Sequence, residues 1–294
     1  MISIVQLGTF DYATALKLQQ QLVALRKEEK IGDVLLLLQH KPVITLGRNA
    51  KASNVVASSE FLKQRGIDLF ECDRGGDVTF HGPGQIVGYP IFDLRGFATP
   101  DSKRKALGVV EFVRRLEDVL MRTCADLGIP TKRVTGLTGV WTDQEANAAR
   151  AGADVFVRPV EQRSTPAAED AANLEAPTQT QTEAKLAAIG VHISRFVTSH
   201  GFALNVNTDL SCFNLIIPCG ITSKPVTSMQ KELARELDLN GVAESISRNF
   251  GVVFQSQVLW VDTLDTLLGR AVGVPMQPPV ELRRIHQDDE TTWA

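Results

Sequence analysis

The sequence has little of what marks a membrane or exported protein. None of its apolar runs approaches the roughly 18 residues that predict a membrane-spanning helix. Residues 1–7 have neither the basic start and apolar stretch of a secretory signal nor the arginines of a transit peptide. These absences predict a cytoplasmic protein that does not work in a membrane.

Charge of one sign is also scarce, and so are the usual metal and redox motifs. The 294-residue chain has a formal net charge of −3, which gives no electrostatic reason to expect nucleic-acid binding. Its four cysteines form no C-x-x-C pair, and no H-x-x-x-H or H-E-x-x-H spacing occurs. A zinc ribbon, a thioredoxin-type site and a zinc hydrolase are therefore disfavoured, and we expect neither a metal nor a cofactor.

What the chain does have is a mixture of helical and strand patterns. With 44% hydrophobic residues it can bury a sizeable core. Helices are predicted at 11–30, 58–64, 102–127 (capped by Asp101) and from 240 onward, with a short one at 263–268. Strands are predicted at 34–38, 43–46, 67–72, 77–80, 85–94, 134–141, 186–194, 201–207 and 252–258. Because no strict strand–helix–strand rhythm appears, we expect an α/β (α+β) fold with a mixed sheet flanked by helices.

One long segment does not fit this pattern. From Ser164 to Ala184 nearly every residue is Ala, Gln, Thr, Glu, Asp or Pro, and Leu174 is the only large apolar side chain. Such a stretch buries too little surface to offset its chain entropy. We therefore predict a single domain over 1–294 with a flexible insertion at 143–184 and a polar C-terminal tail from 275.

A glycine-rich stretch at 74–85, RGGDVTFHGPGQ, is the first candidate for chemistry. Its glycines and proline force tight backbone geometry and let a ligand approach the main chain. The spacing of a phosphate-binding P-loop is missing. From the residues alone, a ligand-binding loop and a tight turn between strands remain equally open.

Cys219 is the best candidate for a nucleophile among the four cysteines. It lies between Pro218 and Gly220, where a bend can turn its thiol away from regular structure, whereas Cys124 falls within a long predicted helix. A free cysteine is more often a small buried hydrophobe than a nucleophile, so packing remains the alternative. Lys185 is the first residue of a predicted apolar strand, where a lysine is usually solvated. It becomes a candidate for catalysis only if the strand places it in a pocket, where desolvation would lower its pKa.

Seven short stretches in chain order together resemble the octanoyltransferase family, also called the lipoyl(octanoyl) transferases. They are HKPVIT at 40–45, RGGDVTFHGPGQ at 74–85, YPI at 89–91, TGVW at 138–141, KLAAIGV at 185–191, SHGFALN at 199–205 and IPCGI at 217–221. They extend over most of the chain, and the glycine-rich stretch and the Pro-Cys-Gly-Ile turn are specific.

The resemblance implies the fold of biotin and lipoate protein ligases and a role in lipoate biosynthesis. It implies transfer of an octanoyl group from octanoyl-acyl carrier protein to a specific lysine of a lipoyl domain. The acceptors would be E2 subunits of 2-oxoacid dehydrogenases and the glycine cleavage H protein.

The resemblance also implies roles for individual residues. Cys219 falls on the family's nucleophile, and Lys185 on the lysine that makes that thiol reactive. The implied substrate-binding residues are Arg74, Gly75, Gly76, Asp77, Val78, Thr79, Phe80, His81, Ala188, Ile189, Gly190, Gly201, Phe202 and Ala203.

Two features depart from the family pattern. Phe80 stands where the family usually has tyrosine, so a hydroxyl is missing beside His81. Trp141 and Lys185 are also much farther apart in the chain than in typical members. If their strands are hairpin partners, the insertion extends the turn that joins them and could contact a carrier protein near the mouth of the pocket; a tolerated surface loop is the alternative.

Three other functions remain as alternatives to the transferase. An ATP-dependent lipoate or biotin protein ligase would use the same fold with an adenylate intermediate. A cysteine thioesterase would pass the acyl group to water, and a non-catalytic regulator would only bind acyl carriers or lipoyl domains.

Overall fold

The computed structural model describes residues 1–99, 103–146, 183–218 and 224–261. Its strands are β1 (Ile2–Phe10), β2 (Asp33–His40), β3 (Val43–Leu46), β4 (Asp68–Glu71), β5 (Val78–His81), β6 (Gln85–Ile91), β7 (Thr131–Val134), β8 (Leu137–Thr142), β9 (Lys185–Ser194), β10 (Val197–Asn205) and β11 (Val258–Trp260). Its main helices are α1 (Tyr12–Lys27), α2 (Ser59–Gln64), α3 (Val109–Asp126), α4 (Met229–Leu233) and α5 (Leu239–Phe254).

Eight of these strands form one mixed sheet, in the order β11-β1-β2-β6-β10-β9-β8-β7. β1 runs parallel to β2 and β11, and the other neighbours are antiparallel. A second, three-stranded sheet has the order β4-β3-β5. The predicted mixed sheet flanked by helices is therefore confirmed.

Both faces of the large sheet are buried, as β2 illustrates. Val34, Leu36 and Leu38 pack with α1 on one face. Leu35 and Leu37 pack with α3 and α5 on the other. Because successive strand residues point to opposite faces, a strand covered on both sides reads as an uninterrupted apolar run.

The helices begin and end at ordinary capping signals. The Asp11 side chain accepts a hydrogen bond from Thr14 N and caps α1, and Asp238 caps α5 in the same way. Within the described ranges, no helix is both long and apolar enough to cross a bilayer.

Three of the predicted elements differ from the structure. The helix predicted from Ser102 begins at Val109, with Gly108 as its N-cap; Asp101 and Ser102 lie outside the described residues. The strand predicted at 134–141 is a hairpin, because Gly136 turns the chain at φ +79° between β7 and β8. The strand predicted at 252–258 is wrong except for its last residue, because α5 continues to Phe254 and β11 begins only at Val258.

The prediction that an insertion joins two paired strands agrees with the geometry at its ends. β8 and β9 pair antiparallel, with Trp141 opposite Lys185. Thr142 N donates to Ala184 O at 2.9 Å, so the pairing continues to Ala184. Residues 147–182, most of the predicted insertion, lie outside the described part, as do the predicted helix at 263–268 and the tail from 275.

Candidate active site

The glycine-rich loop between β4 and β5 is folded around the buried side chain of Arg74. Nη2 of Arg74 donates to the main-chain oxygens of Thr45 and Asp77, each at 2.7 Å, and Nη1 donates to Gly75 O at 3.1 Å. Nε and Nη2 also donate to Thr45 Oγ1 at 3.2 and 2.9 Å. The guanidinium group therefore holds the loop in shape through bonds to the protein itself.

The same loop lies directly on β9. Gly75 N donates to Val191 O at 3.0 Å. A Cβ atom added at Gly190 would lie only 2.5 Å from Gly75 O, so no side chain fits there. Glycine at both positions lets the two backbones touch, and it brings two distant sequence stretches together.

A cavity of about 480 Å³, counting its open mouth, lies where this loop meets the large sheet. Twelve of the fourteen residues predicted to bind substrate line the cavity: Arg74, Gly75, Gly76, Asp77, Thr79, His81, Ala188, Ile189, Gly190, Gly201, Phe202 and Ala203. The structure therefore gathers the three predicted stretches around one space.

The other two predicted residues, Val78 and Phe80, do not reach this cavity. They belong to the apolar cluster of the small sheet, where the Phe80 ring lies 5.7 Å from the ring of Phe213. Strand alternation explains the difference, since Thr79 and His81 face the cavity and their neighbours face away. The hydroxyl missing at residue 80 thus belongs to a ring that does not line the cavity.

Four cavity residues are missing from the predicted set: Tyr12, Val87, Tyr89 and His200. Tyr12 comes from the start of α1, far from the glycine-rich stretch in sequence, and no local pattern signals it. Tyr89 and His200 did have a signal, because both lie in stretches that resemble the family.

Neutral, hydrogen-bonded side chains form one wall of the cavity. Burial lowers the pKa of His81 well below its usual value, so its ring is neutral at pH 7. Nδ1 of His81 donates to Gln85 Oε1 at 2.8 Å, and Gln85 Nε2 donates to Asn205 Oδ1 at 2.9 Å. Asn205 then donates to the carbonyl oxygen of Thr227 at 3.0 Å. This chain of bonds links the cavity to the segment that pairs with Lys185.

Asp73 and His200 connect the glycine-rich loop to β10 at the same cavity. His200 Nε2 donates to Asp73 Oδ1 at 2.7 Å. Burial lowers the pKa of His200, and the bond to Asp73 only partly offsets it. For Asp73, partial burial raises the pKa of the carboxyl. The bond from His200 lowers that pKa by more, so it stays below its usual value.

Lys185 lies at the start of β9 on the wall of a second, smaller cavity. Its side chain is buried, and Pro218 lines the same cavity. Thr79, Ala188 and Ala203 line both cavities. The two spaces therefore adjoin.

Main-chain bonds fix the position of Lys185. Its N–H donates to Pro225 O at 2.8 Å, and its carbonyl accepts from Thr227 N at 2.9 Å. Residues 219–223, with the predicted nucleophile Cys219, lie outside the described residues. The described residues on both sides of that segment, Pro218 and Pro225, thus contact the surroundings of Lys185.

The three cysteines within the described ranges do not look like activated nucleophiles. Burial raises the pKa of Cys124 to about 12, and burial also raises the pKa of Cys212. Cys72 Sγ donates to Leu46 O at 3.4 Å. Only a thiolate attacks efficiently, so Cys124 and Cys212 are unsuited to covalent catalysis. Among the described residues, no cluster of His, Cys, Asp and Glu could hold a metal ion.

Solved structures with this architecture include lipoate protein ligases. The bipartite lipoate protein ligase of Thermoplasma acidophilum superposes with a TM-score of 0.60 at 14% identity, covering 92% of this chain and 91% of that one. A lipoate-protein ligase A solved with ATP superposes with a TM-score of 0.58 at 13% identity, covering 92% and 93%. At these identities the likeness shows the fold alone, and it confirms the predicted ligase-like fold.

Sequence comparison carries the assignment further. The lipoyl protein ligase A/B catalytic domain matches residues 11–251. The octanoyltransferase of Koribacter versatilis is 54% identical over 98% of both chains. That of Acidobacterium capsulatum is 48% identical over 91% of this chain and 96% of its own. The chain therefore belongs to the lipoyl protein ligase A/B catalytic domain family and, within it, to the octanoyltransferases.

Proposed function

We propose that this enzyme takes the octanoyl group from octanoyl-acyl carrier protein and transfers it to a specific lysine of lipoyl domains. The acceptors are E2 subunits of 2-oxoacid dehydrogenases and the glycine cleavage H protein. The acyl group passes through a thioester on Cys219, and Lys185 keeps that thiol reactive. Octanoyl transfer takes place in the cytoplasm and involves no cofactor, metal, nucleic acid or membrane.

One observation carries this proposal above all. Lys185 is buried on the wall of a small cavity that includes Pro218 and adjoins the main cavity. Cys219 follows Pro218 directly in the chain. The family resemblance and the setting of the other cysteines support the same choice of nucleophile.

The reaction divides into two exchanges at one carbonyl carbon. The Cys219 thiolate attacks the donor thioester, the bond from carbon to the carrier sulfur breaks, and that sulfur takes a proton from solvent. The acceptor lysine amine then attacks, the bond from carbon to Cys219 breaks, and the amine gives its proton to solvent. The first step exchanges one thioester for another, and the second is downhill because it makes an amide.

Part of the main cavity is apolar and suits an acyl chain. Val87, Ile189 and Phe202 give it apolar walls beside the neutral polar side. Each buried CH₂ group contributes about 0.8 kcal/mol. Binding therefore grows with chain length until the cavity is full.

The ligase alternative differs in its need for nucleotide. One solved relative by fold is described as bound with ATP, and a ligase must activate a free acid. A donor that is already a thioester needs no such step. The thioesterase alternative differs in its acceptor, and the regulator alternative in making no product.

A nucleotide-free transfer assay separates these functions. Octanoyl-acyl carrier protein and an apo lipoyl domain are mixed with the wild-type enzyme, Cys219→Ala or Cys212→Ala, and the octanoylated domain is measured by mass spectrometry. We expect full transfer without ATP by the wild type and by Cys212→Ala, and a loss of at least about 10³-fold in Cys219→Ala. Transfer by Cys219→Ala at the wild-type rate contradicts the proposal, and release of free octanoate as the main product favours the thioesterase.

A further inference from the structure

Trp141 and Lys185 are direct partners across strands β8 and β9. The Lys185 Nζ atom lies 4.8 Å from the centre of the indole ring of Trp141. Trp141 is 1% exposed and Lys185 is 7% exposed. The pair therefore meets inside the protein, where water screens little of the interaction between a charge and a ring.

The backbone beside Trp141 is shaped to make room for the lysine side chain. Gly139 has φ +125°, and a Cβ atom added there would lie 3.4 Å from Lys185 Cε and 2.5 Å from Ala187 O. The strand register shifts between Val140 and Trp141. This irregularity lets the lysine stem pass Gly139 and reach the ring.

A buried carboxylate holds this irregular backbone in place. Glu117 of α3 is fully buried, and its Oε1 accepts a hydrogen bond from Gly139 N at 3.1 Å. Its Oε2 accepts from Arg114 and Arg133, each at 2.7 Å. Through this bond to Gly139, α3 holds the part of β8 that precedes Trp141.

The ring face distinguishes between the two forms of the lysine. Its electron-rich face attracts an ammonium group, whereas a neutral amine gains little from it. A second cation, Lys224 Nζ, lies 5.9 Å from the same ring, but it forms an ion pair with Glu183. The hydrogen bond from Lys224 is the main cause that lowers the pKa of Glu183 to about 2, so the Glu183 carboxyl stays ionised near neutral pH.

We propose that Trp141 is a positioning residue for acyl transfer: its ring holds the Lys185 side chain, as an ammonium ion, at the wall of the smaller cavity. This inference rests on the proposed function of Cys219 and Lys185. It chooses between two roles for the lysine, because an ammonium ion stabilises the thiolate by its charge and cannot act as its base.

The test is the pH dependence of thiol alkylation, followed at Cys219 by peptide mass spectrometry. The proteins are the wild type, Trp141→Leu, Trp141→Phe, Lys185→Met and the double variant Trp141→Leu/Lys185→Met. We expect Trp141→Leu to move the midpoint of alkylation up by about 0.5–1.5 pH units and to slow single-turnover octanoyl transfer about 3- to 30-fold. Trp141→Phe keeps an aromatic face, so its alkylation midpoint and its transfer rate should lie close to those of the wild type.

The double variant shows whether Trp141 acts through the lysine. If it does, the midpoint of the double variant equals that of Lys185→Met, because the ring has no cation left to hold. Trp260→Leu is the matched control, since Trp260 lies on β11 and is 41% exposed. Its midpoint and transfer rate should equal those of the wild type, and Cys72 serves as an internal reference in every digest.

If Trp141→Leu does not fold, fluorinated tryptophan replaces the mutation. In a background with Trp260 and Trp293 changed to Phe, only position 141 carries the label. Each added fluorine withdraws electron density from the ring face and hardly changes its shape. We expect the midpoint to rise stepwise with fluorine number, and an unchanged midpoint overturns the proposal.

The outcomes separate this inference from the function on which it rests. A wild-type thiol with an ordinary midpoint that does not respond to Lys185→Met removes the proposed roles of Cys219 and Lys185. A midpoint that depends on Lys185 but not on Trp141 retains that function and assigns Trp141 to core packing only.

Discussion

Two buried basic side chains at this site have different surroundings. Arg74 directs its guanidinium group to Thr45, Gly75 and Asp77, and so it maintains the loop. Lys185 instead places its Nζ over an aromatic ring, on the wall of a cavity. The arginine therefore maintains the loop, whereas the lysine lies at the wall of a cavity.

Arg74→Lys should damage the loop although the charge is kept. An ammonium group cannot reproduce a planar fork that bonds three residues at once. We expect the free energy of unfolding to fall by about 2–4 kcal/mol and the KM for the acyl donor to rise. Urea unfolding measures the first and initial rates the second. Arg48→Lys, at an exposed position, is the control, and equal unfolding midpoints for the two variants would contradict this account.

His40 makes the stability of the fold depend on pH. Its Nδ1 donates to Phe10 O at 3.1 Å, and its Nε2 accepts from the hydroxyl of Tyr89 at 2.6 Å. This neutral arrangement suits its burial, which lowers the pKa of His40 from 6.5 to about 4. The unfolded chain therefore binds a proton at a higher pH than the folded protein does.

The free energy of unfolding should consequently fall as pH drops from about 6.5 toward 4, and His40 accounts for about 3 kcal/mol of that loss. Burial shifts the pKa of His81 and His200 in the same direction. Urea unfolding between pH 4.5 and 8 measures the slope, which His40→Gln should reduce. An identical slope in His40→Gln and the wild type would exclude His40 as a source.

The sequence predicted those residues of the cavity wall where two backbones touch, because only glycine fits at such contacts. Gly75 and Gly190 lie against each other, and both stood in stretches singled out from the sequence. Phe80 was misplaced because a continuous stretch hides the alternation of a strand. Tyr12 was missed because only the packing of α1 on the sheet brings it to the cavity.

At the scale of elements, prediction succeeded where the pattern was strong. The apolar run of β2 and the capped helix α1 lie within a few residues of their predicted positions. Predictions failed at boundaries. The run at 134–141 looked continuous because the turn at Gly136 is short. The start of α3 at Val109 was missed because its N-cap residue, Gly108, has no side chain that would signal a cap in the sequence.

The β8–β9 pairing predicts that the segment between these strands can be shortened. Thr142 and Ala184 are already joined by two hydrogen bonds, with Thr142 Oγ1 accepting from Ala184 N at 3.0 Å. Replacing the 36 residues 147–182 by six Gly and Ser residues should stabilise the fold by up to about 2 kcal/mol, because a shorter loop costs less entropy to close.

Transfer by the shortened enzyme should stay within about twofold of the wild type if the segment is a tolerated surface loop. The nucleotide-free assay measures it, with a scrambled sequence of the same 36 residues as the control. A folded but inactive short variant, beside an active scrambled one, would mean that the length of the segment matters to the reaction.

In the molecule as a whole, the two sheets bring together what the sequence keeps apart. Lys185 lies on the large sheet, the glycine-rich loop joins strands of the small sheet, and Pro218 follows the last contacts of the small-sheet cluster. Composition and periodicity indicated a mixed sheet. They did not indicate which edges meet, because that depends on packing between residues more than one hundred positions apart.

The central claim is that Cys219 carries the octanoyl group during transfer. The most direct measurement is acid quenching of the enzyme after mixing with octanoyl-acyl carrier protein, followed by peptide mass spectrometry, with and without an apo lipoyl domain added as a chase. We predict an octanoyl adduct on the peptide containing Cys219 that disappears at the rate at which the lipoyl domain gains the group. An enzyme that octanoylates the domain while Cys219 stays unmodified throughout would contradict the account.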